Sequence, residues 1–164
     1  MKQVINIQIS NPRIEILRKK YDHKFKKIKT HLTLVYPFEV KDQGKLIEHI
    51  EYCLKGISPF EIVFERLRKS DNYLVLDVTK NRKTLLALYK KLNSGILSGF
   101  ENKDISIYLP HITLGLFKCH EELMQAIGEL RARGSNFRFM VDKISLANLN
   151  EDDSVNGIQD FVLK

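Results

Sequence analysis

A chain of 164 residues, 43% apolar and 29% charged, suits one compact domain with a full core. Its net charge of +7 favours a polyanionic partner, and no run approaches the length of a membrane-spanning helix. The first ten residues alternate apolar and polar instead of forming a signal-peptide core. Two cysteines, Cys53 and Cys119, are therefore expected to be reduced thiols in a cytoplasmic protein.

Val4 to Ile9 alternates, with Ile5, Ile7 and Ile9 on one face, and predicts a strand. Ser10-Asn11-Pro12 then reads as a helix start, the helix running to about Tyr21 with Ile14, Leu17 and Tyr21 on one side. Arg18 to Lys29 holds seven Lys and Arg against Asp22 alone and ends two residues before His31. Such a run is either a solvated loop or a basic rim that concentrates polyanions beside a site, and its position favours the rim. A strand carrying His31 follows. Asp42 opens a second helix with Leu46, Ile47, Ile50, Cys53 and Leu54 at helical spacing.

Phe60–Leu67 and Tyr73–Val78 read as strands joined by a polar turn at Lys69–Asn72. Asn81 caps a third helix whose inner face carries Leu85, Leu88, Tyr89 and Leu92. Asn93–Lys103, rich in Gly, Ser and Asn, reads as a loop and a candidate lid. Tyr108–Phe117 is a further strand, and Glu121–Arg133 a helix ended by Gly134. Phe137–Leu149 and Gly157–Leu163 close the chain as strands about an acidic turn, Glu151-Asp152-Asp153.

Two segments nearly copy each other: His31-Leu32-Thr33-Leu34 and His111-Ile112-Thr113-Leu114. Side chains at i and i+2 of a strand share a face, so each segment presents an imidazole and a hydroxyl on one side and two aliphatics on the other. Around them the order motif strand, helix, strand, strand occurs twice, over 31–78 and 111–163. The expected fold is α+β: one bilobal domain over 1–164, built of two pseudo-symmetric antiparallel-sheet lobes with outer helices. Each lobe gives one His-x-Thr strand to a central groove.

Histidine titrates near neutrality, so one neutral and one protonated imidazole could act as general base and general acid on a phosphodiester. Thr33 and Thr113 would hold the non-bridging phosphate oxygens. At these residues the sequence resembles the 2H phosphoesterase superfamily, which includes bacterial 2′-5′ RNA ligase-like proteins and cyclic phosphodiesterases and is defined by two such motifs. The resemblance covers nearly the whole chain and implies His31, Thr33, His111 and Thr113 as the catalytic set. Which histidine is acid and which is base stays open.

Strand parity adds Lys29, on the face of His31, and Phe117, on the face of His111 and Thr113, as substrate-binding candidates. Gly115 on that face either leaves room for a phosphate or marks a bulge. His23, His49 (on an exposed helix face) and His120 look ordinary. Neither motif has Asp, Glu or Cys on its own face, so no metal is expected, and no cofactor. The expected partner is an RNA end or a small nucleotide with a cyclic phosphate or a 2′-5′ linkage, met by a monomer without a membrane or protein partner. Hydrolysis of that ester leads. 2′-5′ ligation and a non-catalytic RNA- or nucleotide-binding module are the alternatives.

Overall fold

The computed structural model describes residues 1–100 and 107–164. Its elements, in chain order, are β1 (Gln3–Gln8), α1 (Pro12–Tyr21), β2 (His31–Phe38), α2 (Gln43–Leu54), β3 (Phe60–Ser70) and β4 (Tyr73–Lys80). There follow α3 (Arg82–Leu92), β5 (His111–Leu116), α4 (His120–Arg133), β6 (Phe137–Val141), β7 (Lys143–Leu149) and β8 (Val155–Val162). The strands form two four-stranded antiparallel sheets, ordered β2-β1-β7-β8 and β5-β4-β3-β6. The fold is α+β in one domain, and each motif strand lies at the edge of its own sheet.

Side-chain caps account for the starts of α1 and α2. Asn11 Oδ1 accepts from the amides of Arg13 and Ile14, with Pro12 in the first turn of α1, and Asp42 Oδ1 accepts from Lys45 at the start of α2. Asn81 departs from the expectation: it adopts φ 60° without capping α3, and its Nδ2 donates to the Glu61 carbonyl. His49 is half-buried rather than solvent-facing, because its Nε2 meets the Leu92 carbonyl at the end of α3. Within Asn93–Lys103, Gly95–Leu97 forms a 3-10 turn with Leu97 buried, whereas 101–103 lie outside the described residues.

Three long-range features depart from the sequence reading. β1, between β2 and β7, is buried on both faces, Val4 and Asn6 as well as the isoleucines, and Gln3 bonds to the Gln43 and Asn148 side chains. The segment Phe137–Leu149 is two strands: β6 pairs with β3, and the chain crosses at Asp142 into the other sheet, where β7 pairs with β1. The units 31–78 and 111–163 do not each build a lobe, since β2 lies in one sheet and β3 and β4 in the other.

The repeat in three dimensions starts earlier. It is strand, helix, motif strand, helix, over β1–α2 and again over β4–α4. In each copy the motif strand pairs antiparallel with the first strand, Gln8 opposite His31 and Asp77 opposite His111. The first helix of each copy crosses to the other lobe, α1 against β5 and α3 against β2. These crossed helices join the lobes through a continuous core that includes Ile14, Leu32, Leu34, Leu85, Leu88, Ile112 and Leu114.

Candidate active site

The two His-x-Thr segments are equivalent down to their irregularities. In β2, Thr33 and Val35 oppose the adjacent residues Asn6 and Ile5; in β5, Thr113 and Gly115 oppose Val75 and Leu74. Each strand thus carries one extra residue, Leu34 or Leu114, directly after its threonine. A bulge there reverses which side chains face the core. Val35 and Gly115 become buried, and Tyr36 and Leu116 turn to the half-exposed side with the histidines and threonines.

The imidazoles are held alike. His31 Nδ1 lies 2.8 Å from the Lys29 carbonyl and His111 Nδ1 lies 2.6 Å from the Leu109 carbonyl, each two residues upstream. A carbonyl can only accept, so both Nδ1 atoms carry the proton in the neutral ring and both Nε2 atoms keep a lone pair. β2 and β5 approach within 8 Å between Cα atoms although they belong to different sheets.

Burial lowers the pKa of His31, opposed by its bond to the Lys29 carbonyl; the charges of Arg18 and His111 lower it further. Burial also lowers that of His111, against the Leu109 carbonyl, with Arg68 lowering and Asp77 raising it. Both rings are therefore biased towards the neutral form, and protonating one disfavours protonating the other.

A hollow of about 160 Å³ between the sheets has His31, Lys29, Thr30 and Arg18 on one side and Thr113, Leu116 and Tyr73 on the other. It brings together His31, Thr113 and Lys29 of the expected residues. His111 and Thr33 border the same meeting of strands but lie outside its lining. Phe117 does not belong to it. The bulge inverts its parity, so Phe117 is buried against Tyr21, ring centroids 5.8 Å apart, and Leu116 takes the position expected of it. Gly115 makes room for protein rather than phosphate: a Cβ there would stand 2.7 Å from the Tyr21 carbonyl oxygen. A larger hollow of about 800 Å³, between α2 and β8, is lined by neither histidine.

The basic run splits in two. Arg18 is buried, its guanidinium bonded to Asp22 Oδ2 at 2.6 Å, to Thr30 Oγ1 and to the Ile28 carbonyl. Lys20 pairs with Glu129 and Lys27 with Asp152. Lys24 and Lys29 stand at the hollow. The sequence did contain a signal for Arg18, because it falls four residues after Ile14 on the inner stripe of α1. Asp77 and Arg68 were missed as neighbours of His111, since only the pairing of β4 with β5 brings them there.

The family model for the 2′-5′ RNA ligase superfamily matches residues 6–153. The chain belongs to that superfamily. A protein of Geobacillus sp. (strain WCH70) that carries a phosphoesterase name is 31% identical over 152 residues, covering 89% of this chain and 85% of the relative. Escherichia coli LigT, solved with NADP+, shares the fold at TM-score 0.55 and 13% identity, over 99% of this chain and 95% of that one. Kluyveromyces marxianus Usb1, solved with uridine monophosphate, does so at TM-score 0.58 and 8% identity, over 99% and 98%. The protein is an enzyme of the phosphoesterase class. Among the described residues no helix is long and apolar enough to cross a membrane.

Proposed function

We propose that the protein hydrolyses a 2′,3′-cyclic phosphate or a 2′-5′ phosphodiester of RNA or a nucleotide without a metal, using His31 and His111 as base and acid. The observation that carries this is the matched pair of imidazoles, each with Nδ1 tied to a backbone carbonyl and Nε2 left for substrate. One neutral Nε2 takes a proton from water as its oxygen bonds to phosphorus. The other ring, as imidazolium, gives its Nε2 proton to the ribose oxygen as the phosphorus–oxygen bond breaks. The pair ends with its protons exchanged and is reset by solvent. Positioned proton transfer of this kind contributes ~10²–10⁴-fold.

Thr33 and Thr113 supply hydroxyl donors to the non-bridging oxygens as charge develops there. Lys24 and Lys29 at the mouth add an attractive field for a phosphate. That LigT and Usb1 are solved with nucleotides is consistent with a nucleotide substrate. Ligation through a 2′-5′ bond uses the same groups, with a ribose 5′-hydroxyl in place of water as the nucleophile that opens a 2′,3′-cyclic phosphate and the 3′-oxygen as the leaving group.

The test is turnover of a nucleoside 2′,3′-cyclic phosphate panel and a 2′-5′ dinucleotide in EDTA. Wild type is active, and His31→Ala and His111→Ala each lose at least 100-fold while melting as wild type does, a loss at the scale of general acid–base catalysis of ~10²–10⁴. Full activity in either variant overturns the mechanism.

A further inference from the structure

On the side of His111 away from the Lys24–Lys29 hollow lies a second one, of about 200 Å³, lined by Arg66, Asp77, Val78, Thr79, Arg82, Leu109 and Pro110. The register explains why it adjoins the site. Asp77 is the direct partner of His111 on β4, and Arg66 is the direct partner of Asp77 on β3, so the three occupy one rung of the sheet. Directly paired residues point to the same face. Two strand spacings of about 4.8 Å put the Arg66 Cα roughly 10 Å from that of His111. Leu109, whose carbonyl orients His111, forms part of the wall.

The charge of this hollow is not internally cancelled. Asp77 is its one acidic lining residue, and both of its oxygens are engaged by Arg68, at 2.8 Å to each. Arg66 stands 3.4 Å from Asp77 with its side chain 64% exposed, so most of its guanidinium donors face solvent. Arg82 has no ion pair among the described residues. Glu65 bonds to Thr79 Oγ1 and is not part of the lining. Two arginines thus offer planar donor forks into a concavity beside a histidine, the arrangement that suits a phosphodiester oxygen pair.

The geometry points to a second phosphate subsite at Arg66 and Arg82, so that the substrate is a single-stranded RNA whose chain continues past the reacting phosphate. This rests on the two-histidine reading, which places the reacting phosphate between β2 and β5. With Lys24 and Lys29 on one side of the histidines and Arg66 and Arg82 on the other, cations flank the reaction centre in two directions. A mononucleotide cyclic phosphate would leave Arg66 and Arg82 without a ligand.

The experiment compares kcat/KM for a mononucleoside 2′,3′-cyclic phosphate with that for a tetranucleotide ending in one. It adds the anisotropy-derived affinity for a fluorescein-labelled tetranucleotide 3′-phosphate across salt. Proteins are wild type, Arg66→Gln, Arg82→Gln and the double variant, with melting temperatures as the folding control. Wild type is expected to prefer the tetranucleotide by roughly tenfold or more, as one charge-assisted contact implies. The double variant should lose most of that ratio, and its salt slope should fall by about 0.7 for each phosphate contact removed. Equal kcat/KM for the two substrates, or a ratio and salt slope untouched in the double variant, overturns the subsite. Absence of turnover on both substrates overturns the hydrolytic reading instead, and the binding slopes then decide the subsite alone.

Discussion

Arg18→Met is the most informative perturbation, because one side chain joins the stability of the fold to the orientation of His31. The Arg18 and Asp22 side chains are 4% and 6% exposed, so removing the cation strands a buried carboxylate. Breaking a buried pair from one side costs about 3–5 kcal/mol. For a chain of this size each kcal/mol lowers the melting temperature by about 2–4 °C, so a drop of roughly 6–20 °C is expected by circular dichroism. Arg18→Met with Asp22→Leu removes both charges and should recover most of the loss.

Activity should not recover with stability. Arg18 also holds the Ile28 carbonyl at 2.8 Å and Thr30 Oγ1 at 3.0 Å, and so fixes both neighbours of Lys29, whose carbonyl receives His31 Nδ1–H. Without that tether the ring loses its tautomer preference, and kcat falls in the double variant even where it is fully folded. The reasoning is refuted if Arg18→Met melts within about 1 kcal/mol of wild type, or if the double variant is no more stable than the single one.

The pH profile follows from burial of the two rings. Both pKa values lie below the ordinary histidine value near 6.5, so both limbs of the bell in kcat/KM move to the acid side, and the maximum falls below pH 6.5. An optimum of kcat/KM above pH 7 would contradict it. The same depression means that unfolding takes up protons below about pH 6.5, so melting temperature should decline as pH falls through that region. Gly115→Ala places a Cβ within 3 Å of Tyr21 and Phe117, and the strand or α1 must shift, at about 1–3 kcal/mol. Since α1 carries Arg18, this variant should also lose activity; a melting curve and turnover equal to wild type would show that the contact is slack.

How far the sequence could be read depended on the range of the interactions. The alternation of His31, Thr33, His111 and Thr113 is local, two residues long, and survives in the structure as two edge strands that approach each other. Phe117 was lost because parity was carried through a bulge that only the pairing of β5 with β4 reveals. The sheet change at Asp142 is invisible for the same reason: Asp142-Lys143 breaks the apolar residues only briefly, and which neighbour each half finds is decided some 80 residues earlier in β3 and at the far N-terminus in β1. Arg18 belongs by sequence to the basic run read as a rim, although its helical position assigns it to the buried stripe beside Ile14.

Two edge strands that approach within 8 Å would ordinarily complete a ladder, and a ladder would fill the space a phosphate needs. Here the edge of β2 is occupied by side chains instead. Tyr108 donates to the Thr33 carbonyl at 2.7 Å, and Asn93 Nδ2 donates to the Leu34 carbonyl at 2.9 Å. Burial, with Tyr36 and Tyr89 nearby, holds the Tyr108 pKa well above its usual value, so the phenol stays a donor. Tyr108 comes from the approach to β5 and Asn93 from the end of α3, both in the second copy of the repeat. The bulges at Leu34 and Leu114 twist both edges at the same register position, directly after each threonine. The lobes are therefore joined across the site by side chain to backbone bonds rather than by strand pairing. That leaves the His-x-Thr faces apart and unladdered, which is the condition for a substrate phosphate to stand between them.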